Sequence, residues 1–236
     1  MAEQPDIIVI TGTSRGIGRI LAHHFLDRGA RVYGCSRSDS SIEDSNYSHA
    51  IVNVCEEVAT TRWIRGIGKA EGQIDVMIGN ASAVSVSTPL TLCSGEAFDQ
   101  LFRTACKGSF LACREASKIM MRKKSGRIIT FSSMAEGLHM PGTGLYAASK
   151  AAVCELTRIF AKELAGYNIT CNAIAPSMIE TEAVLELSEK LRAKALDSLT
   201  LKRLLVPEEI TGLIDYLVSP QAGCITGQVI YMGLVK

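Results

Sequence analysis

The chain lacks several features that would place it in common functional classes. Its formal net charge is only +1 over 236 residues, so no excess of basic groups invites nucleic acid or an anionic membrane. No apolar run reaches the length of a membrane span. The opening "MAEQPDIIVITG" starts acidic, and its apolar stretch is too short for the core of a secretion signal. Eight cysteines are scattered with no C-x-x-C pair and no histidines at ligand spacing. That argues against a disulfide framework or a metal site and for buried reduced thiols. His23 and His24 are adjacent, point to different parts of a helix surface and are read as ordinary surface groups. No repeat, low-complexity tract or linker interrupts the chain. The expectation is a single domain over residues 1–236, in the cytoplasm, with no metal.

What is present is an alternation of short apolar runs and amphipathic segments. "DIIVITG", "ARVYGCS", "HAIVNV", "IDVMIGN", "GRIITFSS", "NITCNAIAP" and "GQVIYM" read as strands. Helices are predicted for "GIGRILAHHFLDRG" with Gly29 as C-cap, for "EEVATTRWIRGIGKAEG", and as one long element for "GEAFDQLFRTACKGSFLACREASKIMMRK". Another is predicted for "YAASKAAVCELTRIFAKELAG", with Val153, Leu156, Phe160 and Leu164 on its buried face, and a last one for the proline-opened "PEEITGLIDYLVS". Residues 177–206 are helical but more polar and look like an insertion. Strands alternating with helices imply a Rossmann-type, doubly wound parallel sheet with helices on both faces.

The first strand runs into "TGTSRGIGRI". Glycines at 12, 16 and 18 allow a sharp turn and close approach of a phosphate, and the following helix N-terminus supplies amide donors. Arg19-Ile20 follows the last glycine, where a Walker A loop needs Lys-Ser/Thr. At the end of the second strand, "YGCSRSD" offers Ser36 and Arg37 before Asp39. An arginine there, joined by Arg15, suits a 2′-phosphate and favours NADP over NAD; the competing reading puts Asp39 on the ribose.

"TGTSRGIG", "GNAS", "FSS" followed by "YAASK", and "NAIAPS" occur in the order found in the short-chain dehydrogenase/reductase family, which the chain resembles over nearly its whole length. Within it, "RKKSGRIITFSS", "NAIAPSMIET" and "RLLVPEEI…LVSPQAGCITGQVI" look most like 3-oxoacyl-acyl-carrier-protein reductases. The resemblance implies seven parallel strands in the order 3-2-1-4-5-6-7, a nicotinamide cofactor across their carboxyl ends, a substrate lid at about 178–204, and a tetramer or sometimes a dimer. It implies catalytic roles for Ser133, Tyr146 and Lys150. Cofactor contacts are implied for Gly12, Ser14, Arg15, Gly16, Ile17 and Gly18 in the first loop, and for Ser36 and Arg37. They are implied too for Asn53 and Val54, for Asn80, Ala81 and Ser82, for Tyr146 and Lys150, and for Pro176, Ile179 and Thr181. Asn80 would be structural as well as flanking the cofactor. Asn53 stands where the family has an aspartate on the adenine amino group, and its amide oxygen is an acceptor too.

The chemistry of the trio can be argued from the side chains. Hydride transfer to a ketone builds negative charge on the carbonyl oxygen, which needs a proton donor and a second group to hold it. A free tyrosine has a pKa of about 10, and a nearby ammonium lowers it. Tyr146 and Lys150 are one helical turn apart and share a face. Ser133 would orient the carbonyl. The flanking Ala147, Ala148, Ser149, Ala151 and Ala152 permit close approach of a ligand or sheet.

Departures from the family pattern are specific. The fourth family residue, an asparagine five before a phenylalanine in the long helix, is here Ala105. That asparagine supports a water behind the lysine; with alanine, backbone groups hold the water, turnover slows, or the chain has left catalysis. Gly79, Ser82, Ser177, Leu234 and Val235 also replace usual residues. Arg127, with Arg122, Lys123 and Lys124, would suit an acidic carrier-protein helix, but a second basic position is here Tyr167-Asn168. The leading expectation is an NADPH-dependent ketoreductase of 3-oxoacyl thioesters. The alternatives are an NADP(H)-linked alcohol dehydrogenase of a sugar, steroid or specialised metabolite, and a non-catalytic cofactor-binding module.

Overall fold

The structure, a computed structural model, describes residues 6–83, 87–185 and 189–235. The start of the amino-terminal segment and residues 186–188 of the expected lid lie outside the described residues. β1 (Ile7–Thr11) shows why the sheet has its place at the centre. All five of its residues are buried, because successive side chains point to opposite faces and both faces are covered. Ile8 and Ile10 pack on one side with α1 (Gly16–Asp27) and α9 (Pro207–Val218). Ile7 and Val9 pack on the other with α2 (Glu57–Glu71), α4 (Gly108–Lys123) and α6 (Gly144–Leu164).

β2 (Arg31–Ser36), β3 (Tyr47–Ile51), β4 (Val76–Gly79), β5 (Gly126–Phe131), β6 (Ile169–Pro176) and β7 (Val229–Met232) complete the sheet. The order is β3-β2-β1-β4-β5-β6-β7 and every pair is parallel, as expected. The strand order reverses direction between β1 and β4, which opens a crevice at their carboxyl ends.

Three elements differ from expectation. The third strand starts two residues early and stops at Ile51, not at residue 54. Its apolar alternation continues through the buried Val52 and Val54, but β2 ends at Ser36 and offers no further ladder. The predicted long helix is divided. α3 (Gly95–Phe102) passes into a π turn over Arg103–Lys107 before α4, and the Gly108 amide reaches back to the Arg103 carbonyl. The polar insertion forms two short helices, α7 (Glu182–Leu185) and α8 (Glu189–Asp197). Its base is pinned where the Glu180 amide donates to Leu205 O and the Leu205 amide donates to Met178 O. The short α5 (Ala135–Leu138) follows β5. On α6, Val153 and Leu164 are buried as expected, but the buried stripe also runs through Ser149, Lys150, Cys154, Thr157 and Ala161. Leu156 and Phe160 are only half-buried and face α4 across the Phe110–Phe160 ring pair.

Between α2 and α4, the Glu115 carboxylate is 1% exposed and held by Arg65 at 2.9 Å, Arg114 at 2.9 Å and Lys118 at 2.6 Å. Burial pushes its pKa up, and the three cations more than offset that, leaving it below the usual carboxylate value. The pairing therefore stabilises the fold above about pH 4.3, the ordinary glutamate pKa, and the benefit is lost as pH falls. Glu115→Ala should lower the unfolding free energy at pH 7 by about 2 kcal/mol in a urea titration. The gap from wild type should shrink as the pH falls below about 4.

Candidate functional site

The glycine loop joins β1 to α1 at the crevice, and its three glycines have three different reasons. Gly12 takes φ +80° in the tight turn, and a Cβ on it would meet Asn80 Nδ2 at 2.9 Å. A Cβ on Gly18 would stand 2.1 Å from Gly12 O, so glycine lets the helix pack on the turn. Gly16, at φ +58°, faces open space: a Cβ there would have nothing within 4 Å. Ser14, Gly16 and Ile17 are half-buried, and Arg15 is exposed at the N-cap of α1. No acidic side chain occupies the first turn of α1. An open glycine, free helix amides and an exposed arginine fit a phosphate group.

Asn80 ties the loop to β4. Its Nδ2 donates to Thr11 O at 2.9 Å and to Gly12 O at 3.2 Å, which commits both amide hydrogens to structure. Thr11 Oγ1 accepts from the Asn80 and Ala81 amides, each at 3.0 Å. Ser82 is exposed beside them. At the end of β2, Ser36 is buried while Arg37 is exposed, and neither Arg15 nor Arg37 has an acidic partner among the described residues. That leaves both guanidinium groups available to a phosphate. Val54 is buried. Asn53 is exposed and its Oδ1 already accepts from the Cys55 amide at 3.1 Å, so only its second lone pair is left for an adenine amino group. Sequence reasoning passed over Thr13, Tyr47 and His49, which adjoin Ser36. The signal was available as the two-residue spacing of Tyr47 and His49, which pair with Val32 and Gly34.

The reaction trio converges at the carboxyl end of β5. Ser133 lies two residues beyond the strand, and its Oγ accepts from the Ala135 amide at 3.2 Å. Its hydroxyl also adjoins the Tyr146 phenol closely enough to lower the phenol's pKa. Lys150 is 3% exposed, and its Nζ donates to Phe131 O at 2.8 Å. The ammonium also stands over the Tyr146 ring, 5.7 Å from its centroid. Burial pushes the Lys150 pKa down to about 8, with Cys154 pulling it partly back. The expected depression of the Tyr146 pKa by Lys150 is not found. Burial raises that pKa, and only the neighbouring Ser133 hydroxyl lowers it. The reason lies in the order of ionisation: buried Lys150 gives up its proton near pH 8, before a phenol with a raised pKa ionises, so it offers that phenolate no positive charge.

Ala105 is 1% exposed inside the π turn, which packs against α6. The turn thus keeps an i→i+5 irregularity next to the trio without the asparagine. On the far side of the crevice, Pro176 and Ile179 are buried and Thr181 is half-buried at the base of the insertion. Arg19 of α1 reaches Glu182 of α7 at 2.5 Å and links that base to the glycine-loop helix. The basic group expected to meet a carrier protein sits elsewhere. Arg122, Lys123 and Lys124 are exposed at the end of α4, but Arg127 is half-buried near the amino end of β5. Six residues of extended chain, about 20 Å, separate Arg127 from Ser133. His24 Nε2 lies within hydrogen-bond reach of Asp215 Oδ1, at 2.8 Å, near the surface. Among the described residues no cluster of metal-ligating side chains occurs, and no helix is long and apolar enough to cross a membrane.

The fold makes the chain a Rossmann-type α/β protein. Residues 12–233 match the family described as enoyl-(acyl carrier protein) reductase. The 3-oxoacyl-(acyl-carrier-protein) reductase of Thermotoga maritima is 33% identical over 240 residues, covering 98% of this chain and 97% of that protein. Two solved structures superpose with a TM-score of 0.89: ElxO with NADP bound, and the ligand-free aldohexose dehydrogenase of Thermoplasma acidophilum. They are 28% and 27% identical, covering 97% and 98% of this chain and 97% and 94% of those. The chain belongs to the short-chain dehydrogenase/reductase family and is an oxidoreductase.

The low pKa of Lys150 ties the stability of the fold to pH. In the unfolded chain the group binds its proton up to about pH 10.4, whereas in the folded one it releases it near 8. Folding is therefore penalised below pH 8, and the penalty is relieved as pH rises from there. Wild type should gain unfolding free energy relative to Lys150→Met between pH 8 and 10, measured by denaturant titration at each pH.

Proposed function

We propose that the chain is an NADPH-dependent ketoreductase acting on the β-keto group of a 3-oxoacyl thioester, linked to a carrier protein or coenzyme A. The observation that carries this reading is the convergence of Ser133, Tyr146 and Lys150 beside the glycine loop. The cofactor supplies the hydride. Tyr146 donates a proton to the carbonyl oxygen, and the neighbouring Ser133 holds that oxygen in place. The raised pKa of Tyr146 keeps the phenol protonated before reaction, as a proton donor requires. Lys150 lies beneath, poised near pH 8 to pass a proton toward the phenol. Arg15 and Arg37, without acidic partners among the described residues, support NADP over NAD through a 2′-phosphate.

The whole chain is proposed to work as one cofactor-binding domain, with a substrate lid at about 178–204, in the cytoplasm and with its cysteines as thiols. A homotetramer, or a dimer, would cover the exposed Leu90, Leu92, Phe98 and Ile159. An acidic carrier protein would meet the exposed basic end of α4. The likeness to an aldohexose dehydrogenase supports a second reading, an NADP-linked alcohol dehydrogenase of a sugar.

Incubation with NADPH and an acetoacetyl thioester should consume NADPH absorbance. Tyr146→Phe should lower kcat about a thousandfold with little change in KM. Full activity in Tyr146→Phe would refute the proton-donor role. Turnover of an aldohexose with NADP, and none of the thioester, would select the second reading.

A further inference from the structure

A chain of hydrogen bonds runs from the glycine loop to the end of β2 through two residues of β3. The Tyr47 hydroxyl lies 2.8 Å from Thr13 Oγ1 and 2.8 Å from His49 Nδ1. His49 Nε2 lies 2.9 Å from the Ser38 carbonyl oxygen and 3.2 Å from Ser36 Oγ. The Ser36 hydroxyl donates to the same Ser38 carbonyl, and the Ser38 amide returns a bond to Ser36 Oγ at 3.3 Å.

Counting donors constrains where the protons sit. A carbonyl oxygen only accepts, so His49 Nε2 carries a hydrogen. The single hydrogen of Ser36 is committed to Ser38 O, so Ser36 Oγ accepts from Nε2 as well. The Tyr47 hydroxyl donates to Thr13 Oγ1, and Nε2 donates to the Ser38 carbonyl.

The fold makes room for this chain. Gly34 pairs with His49 in the ladder and Val32 pairs with Tyr47, so Tyr47 and His49 share a face two residues apart. A Cβ on Gly34 would stand 2.3 Å from the Tyr47 hydroxyl and 2.4 Å from Thr13 Oγ1. Only glycine at that position leaves space for both oxygens.

The turn at residues 36–38 also carries the groups proposed to meet a 2′-phosphate. A carbonyl oxygen turned toward that site would repel the phosphate, and here two donors hold the Ser38 carbonyl. We propose that His49 is a positioning residue for cofactor specificity. It anchors the Ser38 carbonyl so that the turn presents Ser36 and Arg37 to a 2′-phosphate, and through Tyr47 and Thr13 it keeps that turn in register with the glycine loop. This rests on the NADP preference proposed above.

The test is isothermal titration calorimetry of NADPH, NADH and 2′,5′-ADP against wild type, His49→Phe, His49→Gln and Tyr47→Phe, with melting temperatures recorded. Losing the anchor should weaken NADPH and 2′,5′-ADP about ten-fold in His49→Phe and leave NADH unchanged. His49→Gln, which keeps a donor for the Ser38 carbonyl, should recover most of the loss. Tyr47→Phe, which removes one hydroxyl and tests the chain if His49→Phe does not fold, should weaken NADPH about three-fold and spare NADH. Equal weakening of NADPH and NADH, or no change in either, would overturn the inference while leaving NADP preference intact. A wild type that binds NADH as tightly as NADPH would instead remove the preference itself, and the inference with it.

Discussion

Lys150 carries an ammonium group buried beneath the reaction site, and it donates to the carbonyl of Phe131, the last residue of β5. An unsatisfied buried charge is costly, so the position of α6 against β5 is tightly constrained. Ser132 Oγ on the same strand end reaches the Lys150 carbonyl at 3.3 Å, and Cys154 Sγ reaches Ser132 Oγ at 3.1 Å. With helix and strand end so joined, Tyr146 one turn earlier on α6 must face Ser133 just past β5. The small residues around Lys150 are what allow helix and strand to come this close. The consequence of that arrangement is a lysine whose pKa falls to about 8, the poise that the proposed proton relay requires.

The glycine-loop end is built differently, from backbone turns and neutral hydrogen bonds. Asn80 commits both amide hydrogens to the first turn, and the Cys35 carbonyl receives the Gly12 amide at 2.7 Å and the Thr13 amide at 3.2 Å. β1, β2 and β4 thereby hold the glycine loop from three sides. The arginines that would meet phosphate are left outside this scaffold, exposed and without acidic partners among the described residues. One end of the crevice shapes chemistry through burial, and the other offers charge to solvent.

Much of this was legible in the residues. The parallel sheet and the glycine loop follow from apolar runs alternating with helices and from three glycines just after the first strand, and the strand order from the family resemblance. The trio was legible because the same resemblance, together with the alanines around the Tyr/Lys pair, sets it apart from a solvated helix face. What failed to show was set by neighbours distant in sequence. The end of the third strand depends on where β2 stops, not on the alternation of Val52 and Val54. The π turn at Arg103–Lys107 has no signature in a helical pattern that continues unbroken through it. Leu156 and Phe160 are less buried than their spacing implies, because a polar stripe through Ser149, Lys150 and Thr157 faces the sheet instead.

The sequence alone determined the parallel α/β architecture and picked out the glycine loop and the Ser133, Tyr146 and Lys150 that the fold brings to one crevice, because these rest on local periodicity and on residue types with narrow conformational or chemical roles. Only the tertiary structure decided the electrostatics and the secondary contacts. The Tyr146 pKa rises rather than falls because folding buries the phenol and also buries Lys150, which loses its proton before the phenol could ionise. The link from Thr13 through Tyr47 and His49 to Ser36 exists because a ladder register brings residues 34 and 49 side by side. Charge and hydrogen bonding act over a few ångströms in space, and folding sets those distances between residues far apart in the chain.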